Sequence, residues 1–264
     1  MEIIKVTCSS CRLRNICLPA DLNSTDLKKF EEIVKQPKPL QRGQKVFEPG
    51  DPFHYIYIVR SGTVQTFTTM STGEQQVISF NLPGELVGLD GLGNDAFTST
   101  AEAIEMTSLC EIKFSRLENM MGQCKPLQHE VHRFMGKELI VDQQLLIQLG
   151  KINAERRVAA FLLNLSDRLH ARGFSASEFN LPMTRADIGN YLGLAVETVS
   201  RQMTHFQEQD IIAVSRKRIT INDIDKLKSI ANLNELVGKH PSITGSDRNK
   251  VGKKARLAST ELLT

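Results

Sequence analysis

Cys8, Cys11 and Cys17 stand with two and then five residues between them, in a segment that closes at Leu18-Pro19. A fourth thiol, Cys110, lies far downstream in strand-like sequence. Lone cysteines act as small buried hydrophobes, a role that gives no reason to gather three of them on one short arm. Thiolates brought together from an arm and a distant strand supply the four-sulfur coordination that a zinc ion or an iron–sulfur cluster takes. Spacing alone leaves both open. A closed zinc site would be inert and structural, whereas a cluster would be reactive. Arg12 and Arg14 would place positive charge beside the thiolates and lower their pKa values. The fifth cysteine, Cys124, reads as a buried spare. The opening Met-Glu-Ile-Ile-Lys-Val-Thr-Cys has no apolar core or small-residue cleavage site, so a reducing cytoplasmic setting is expected.

A second chemistry lies near the other end. Thr184-Arg185-Ala186-Asp187 is a capping box with Asp in the usual Glu position, and Gly193-Leu194-Ala195 supplies a tight turn before a helix starting near Val196. On that second helix Glu197, Ser200 and Arg201 fall at i, i+3 and i+4, so they share one face near its N-terminus. A helix–turn–helix presents such positions to the DNA major groove. Arg201 suits guanine O6 and N7, Glu197 suits cytosine N4, and Ser200 tolerates several base edges. The plain alternative is a solvated Glu–Arg pair worth a few tenths of a kcal/mol. A basic hairpin follows, Ile211 to Ile221, whose Arg216, Lys217 and Arg218 are expected to hold phosphate as a wing would.

These residues need elements to carry them. With 264 residues, 41% hydrophobic and 24% charged, the chain is long enough for two soluble domains with cores of their own. No apolar run is long enough to span a membrane. A helix is expected from Ser24-Thr25-Asp26 through Lys35. Strands are expected at 44–47, 55–59, 63–67, 75–80, 97–103 and 108–114, with Pro49-Gly50-Asp51, Ser61-Gly62, Ser71-Thr72-Gly73 and Pro83-Gly84-Glu85 as turns. Such spacing suggests a small barrel or jelly roll. From Val131 through Met135, Leu139, Asp142 and Leu146 to Leu149, steps of four and three make a seam like that of a coiled coil, with Gly150 as its break. Asp142 in that seam would meet its own copy in a dimer and oppose pairing; the alternative is an exposed rim residue without a role. A helix from Ala154 to about Leu169, a loop at 172–181 and a polar, disordered tail complete the pattern.

The run from Met183 to Leu194, with Val196-Glu197-Thr198-Val199-Ser200-Arg201-Gln202, closely resembles the output helices of the CRP/FNR transcription regulators. The E-x-x-S-R form is typical of the FNR branch, and the N-terminal cysteine pattern is similar to the oxygen-sensing FNR/Anr type. Arg60-Ser61-Gly62 and Gly84-Glu85-Leu86-Val87-Gly88 carry the likeness through the β-rich region. The resemblance implies an α+β protein with a cyclic-nucleotide-binding-like jelly roll, a long dimerisation helix and a C-terminal winged helix-turn-helix. Its divisions would be an arm (1–20), a sensor domain (21–124), a dimerisation helix (125–150), a DNA-binding domain (151–232) and a basic tail (233–264).

The resemblance also implies that Cys8, Cys11, Cys17 and Cys110 ligate an oxygen-labile 4Fe–4S cluster, and that Glu197, Ser200 and Arg201 read a palindromic TTGAT-type site. Double-stranded DNA, RNA polymerase and, with the cluster in place, a second copy of the chain are the implied partners. Nucleotide-binding relatives follow the Gly-Glu-Leu turn with an Arg-Ser or Arg-Thr step. Phe97-Thr98-Ser99-Thr100-Ala101 has no cation there, so no cyclic nucleotide is expected as effector. The competing reading is a constitutive winged-helix regulator with structural zinc. Enzymatic use is not expected, because no CxxxCxxC motif and no Gly-rich loop opening a helix is present.

Overall fold

The computed structural model describes residues 7–231, so the tail expected to be disordered lies outside the described residues. Two short 3-10 turns, Cys8–Ser10 and Arg14–Ile16, shape the arm. Helix α1 (Ser24–Ile33) is capped by Asn23, whose side chain accepts from the Thr25 and Asp26 amides at 2.9 Å. It ends two residues before the expected Lys35. Pro37 biases the chain ahead of it toward extended backbone, and Val34–Lys35 becomes strand β1.

Strands β2 (Lys45–Phe47), β3 (Tyr55–Ser61), β4 (Val64–Thr69), β5 (Gln75–Asn81), β6 (Leu86–Val87), β7 (Thr100–Ala103) and β8 (Ser108–Lys113) follow. They form two four-stranded antiparallel sheets, ordered β1-β8-β3-β6 and β2-β7-β4-β5. β3 is buried on both faces. Ile56 and Ile58 point toward a core shared with Leu18, Phe30, Leu117 and Leu127, while Tyr57 and Val59 point toward Phe47, Val64 and Phe97. At the β3–β4 turn Gly62 has φ +81°, and a Cβ there would lie 2.5 Å from the Met106 carbonyl oxygen, so this turn closes only with glycine.

Helix α2 (Phe114–Gln123) was not anticipated; the chain passes into it from β8 without a side-chain cap to mark the start. Helix α3 (Lys125–Lys151) runs through Gly150, and the break comes at Asn153, which caps α4 (Ala154–His170) by accepting from the Arg156 amide. Along α3 Val131 is buried, but Met135, Leu139 and Leu146 are 41%, 60% and 69% exposed, leaving an uncovered apolar stripe that contains exposed Asp142.

The expected loop at 172–181 contains strand β9 (Glu178–Asn180). Helices α5 (Arg185–Leu192) and α6 (Val196–Glu208), strands β10 (Ile212–Ser215) and β11 (Arg218–Ile221), and helix α7 (Ile224–Ala231) complete the described chain. β9 pairs with β11, placing Phe179 opposite Ile219, so the wing is three-stranded, ordered β10-β11-β9.

Candidate functional site

The arm brings its thiols to β8. Cys17 donates its amide to the Leu13 carbonyl at 3.0 Å, Cys11 donates to the Cys8 carbonyl at 3.3 Å, and Cys110 stands opposite Ile58 of β3. Glu31 of α1 holds the arm by accepting from the Ser9 amide at 2.7 Å. Burial pushes the Cys8 thiol up to about 12, with Cys110, Glu31 and Cys11 adding to it. Burial also raises Cys17, helped by Cys110, Cys8 and Cys11. Cys110 is pushed up to about 11 by burial, with Arg60 pulling it back and Cys11 adding. Cys8, Cys17 and Cys110 pack against one core, and Cys11 acts on each of them, which gathers all four in one neighbourhood.

Arg60, not Arg12 or Arg14, exerts the leading cationic influence on Cys8 and Cys110; Arg12 is exposed, while Arg60 is held by a 2.8 Å bond to Gln36. Sequence reasoning missed Arg60, whose relation to the thiols arises only from strand pairing. Among the described residues no three His, Cys, Asp or Glu side chains are close enough to hold a single ion. The donor set fits a thiolate-ligated centre: four half-buried sulfurs, of which burial holds Cys8, Cys17 and Cys110 in the thiol form until a metal displaces the proton. Cys124 is buried in the core, as expected of a spare.

The helix pair is built as its sequence indicates. The Asp187 amide donates to Thr184 Oγ1 at 3.1 Å, and the Thr184 amide donates to Asp187 Oδ2 at 2.7 Å. Gly193 ends α5 in the left-handed region, φ +61°. Val199, Met203 and Phe206 bury one face of α6, which leaves Glu197 and Arg201 exposed and Ser200 half-buried on the other. Arg216 (φ +56°) and Lys217 form the exposed tip of the wing. Arg218 is engaged by Glu178 of β9.

Residues 156–230 match the Crp-like helix-turn-helix domain family, and residues 37–124 match the cyclic nucleotide-binding domain family. The chain is 46% identical over 219 residues to the anaerobic regulatory protein of Pasteurella multocida, spanning 83% of this chain and 80% of that protein. The chain belongs to the CRP/FNR family of transcription regulators. It is also 45% identical to the transcriptional activator Anr of Pseudomonas aeruginosa, over 85% of this chain and 92% of that one. Among solved structures, FixK2 from Bradyrhizobium japonicum aligns with a TM-score of 0.69 at 30% identity, covering 75% of this chain and 97% of that one. The expected fold class and the reading as a helix-turn-helix transcription regulator of the FNR/Anr type therefore hold.

Two further features of this CRP/FNR chain bear on its function. Within the matched nucleotide-binding region, one carboxylate oxygen, Asp90 Oδ2, accepts from the Thr98 amide and hydroxyl at 3.0 Å each and from the Ser99 amide and hydroxyl at 3.0 and 2.8 Å. Two successive amides and two hydroxyls aimed at one oxygen form an anion cradle, and the chain fills it with its own carboxylate. The second feature joins the two matched regions. Glu85 accepts from Arg168 (Nε 3.1 Å, Nη2 2.5 Å), on α4, and from Arg172, in the turn just after it. Burial pushes the Glu85 carboxyl up, but Arg168 and Arg172 outweigh it and hold it below the ordinary range. Nearby, Asn190 of α5 covers the open edge of β5, accepting from the Val77 amide at 2.5 Å and donating to the Gln75 carbonyl at 2.6 Å.

Proposed function

We propose that this regulator senses oxygen through a 4Fe–4S cluster held by Cys8, Cys11, Cys17 and Cys110. With the cluster in place it pairs through α3 and reads palindromic TTGAT-type promoter sites, controlling anaerobic gene expression together with RNA polymerase. The packing of Cys8 and Cys17 from the arm and Cys110 from β8 against one core, with Cys11 acting on all three, carries this reading. When bound, a cluster supplies a redox-active, oxygen-labile group. The protein's part is to bury the sulfurs, tie the arm to α1 through Glu31, and set the Arg60 guanidinium beside a centre of net negative charge.

The apolar stripe on α3 supports pairing, since Leu139 and Leu146 are more than half exposed in the single chain. Asp142 lies in that stripe, and the water displaced by its neighbours already raises its carboxyl. Two copies facing each other would repel, so loading the arm must tip a marginal balance. A change of about 3 kcal/mol shifts pairing more than a hundredfold. A dimer sets its recognition helices about 34 Å apart, as a palindrome demands. Cyclic nucleotide takes no part, because its phosphate would meet the Asp90 carboxylate in the cradle that Thr98 and Ser99 build.

Anaerobic reconstitution of wild type and Cys110→Ser with iron and sulfide tests the reading. Wild type takes up about four irons, turns brown and binds promoter DNA as a dimer, and air reverses all three; Cys110→Ser does none of these. Asp142→Ala dimerises and binds DNA in air. A colourless, zinc-containing, air-stable wild-type protein would refute the proposal.

A further inference from the structure

Cys17 is preceded by Ile16, and that side chain lies against the Pro83-Gly84 turn: a Cβ built on Gly84 would be 3.2 Å from Ile16 Cδ1 and 3.3 Å from its Cγ1. With φ at +89°, Gly84 holds a conformation that suits glycine, and its amide donates to the Val59 carbonyl at 2.7 Å. The next residue, Glu85, is fixed just as firmly. Its amide donates to the Leu82 carbonyl at 3.0 Å, its carbonyl accepts from the Val59 amide at 3.0 Å, and its carboxylate accepts from the Leu82 amide at 2.8 Å. The same carboxylate grips Arg168 on α4 and Arg172 in the turn that follows it, and their surplus donors go to the Phe80 and Pro83 carbonyls.

One short turn thus has the cysteine arm on one side and the helix leading into the DNA-reading domain on the other. We propose that Ile16, Gly84 and Glu85 are positioning residues, through which the arm sets how firmly the DNA-reading domain seats on the sensor domain within a single protomer. The proposal rests on the reading of the arm as the sensory element, and it adds to pairing through α3 a route that needs no second copy.

The physical basis is that neither end of the turn has slack. A methyl group on Gly84 would need Ile16 to give by a few tenths of an ångström, so the two are in close contact and a shift of the Cys17 segment presses on the turn. At the other end Arg172 is 7% exposed, and a guanidinium so buried follows its carboxylate or is left without a partner. α4 in turn packs on α6 and α7, and the aromatic group Phe80, Phe161 and Tyr191, with ring centroids 5.3 to 6.3 Å apart, spans the same boundary. The Val77 amide, bonded to Asn190 of α5, reports the seating directly.

Amide hydrogen exchange of residues 75–81 in the full chain tests this with a double-mutant cycle of Ile16→Ala, Glu85→Gln and the pair, each checked for native circular dichroism. In the metal-free protein each single change raises exchange at Val77 about fivefold, and the pair does no more than the larger single effect, as for residues acting through one another. Effects that multiply, or an Ile16→Ala chain that exchanges like wild type, overturn the proposal. Should Ile16→Ala misfold, Ile16→Val replaces it, with a smaller effect of the same sign. In anaerobically reconstituted protein, loading alters Val77 exchange in wild type, whereas Glu85→Gln takes up the same iron with no such change; an equal response in both also overturns it. A wild-type chain that takes up no iron refutes the sensory reading instead, and then the metal-free cycle alone decides the contact.

Discussion

Glu138 on α3 is the group whose titration should be felt most clearly at neutral pH. It is half-buried, faces the carboxylates of Glu85 and Asp142 and the guanidinium of Arg168, and lies near the Tyr191 phenol. Burial, then Glu85 and Asp142, push its carboxyl from 4.5 up to about 7, with Arg168 pulling back. A carboxyl raised in the folded state is favoured neutral there. The fold therefore bears no penalty below pH 4.5, an increasing one between 4.5 and about 7, and the full one above. At about 1.4 kcal/mol per pH unit that climb corresponds to roughly 3 kcal/mol. Solvent reaching a half-buried group reduces this to about 1–2 kcal/mol. Glu138→Gln keeps the shape and removes the ionisation, so it should stabilise the chain by that amount at pH 8 and change little at pH 4.5. Urea unfolding of both proteins at pH 4.5, 6, 7 and 8 measures this as a midpoint difference that grows with pH, on the order of 0.5–1 M at the top of the range. A difference independent of pH, or a variant weaker than wild type at pH 8, would refute the reasoning.

Asp90→Ala should cost about 2–4 kcal/mol, because two amides and two hydroxyls lose their acceptor, and millimolar inorganic phosphate should raise the Tm of the variant but not of wild type. Gly62→Ala should destabilise by more than about 2 kcal/mol in denaturant unfolding, since its methyl group would overlap the Met106 carbonyl at φ +81°. In DNA titrations Arg201→Ala should lose about 1–3 kcal/mol and relax discrimination at one base pair. Lys217→Ala should lower the salt slope by about one, whereas Arg218→Ala, already paired with Glu178, should lower it far less.

The three arm cysteines and the shared exposed face of Glu197, Ser200 and Arg201 on α6 were legible because short-range spacing defines each group. Arg60 and Glu85 were not. Their roles come from strand pairing and domain contact, which place Arg60 near Cys110 and Glu85 against α4, far apart in sequence. Element ends failed where a neighbour outweighed local preference. Val34–Lys35 left its helix to pair with β8, and Glu178–Asn180, too short to show a period, became a strand because β11 offered a partner. At Gly150 tertiary support carried the helix one residue past a weak former, and Asn153 ended it by capping the next.

The carboxylate in the Thr98–Ser99 cradle is tethered eight and nine residues from its donors, so its local concentration is set by covalent geometry and not by the cell's metabolite pool. A diffusible anion would have to compete with a rival that never leaves. Under the proposed function, that would insulate the β sandwich from swings in small-molecule supply and leave the arm as the point of entry for a signal.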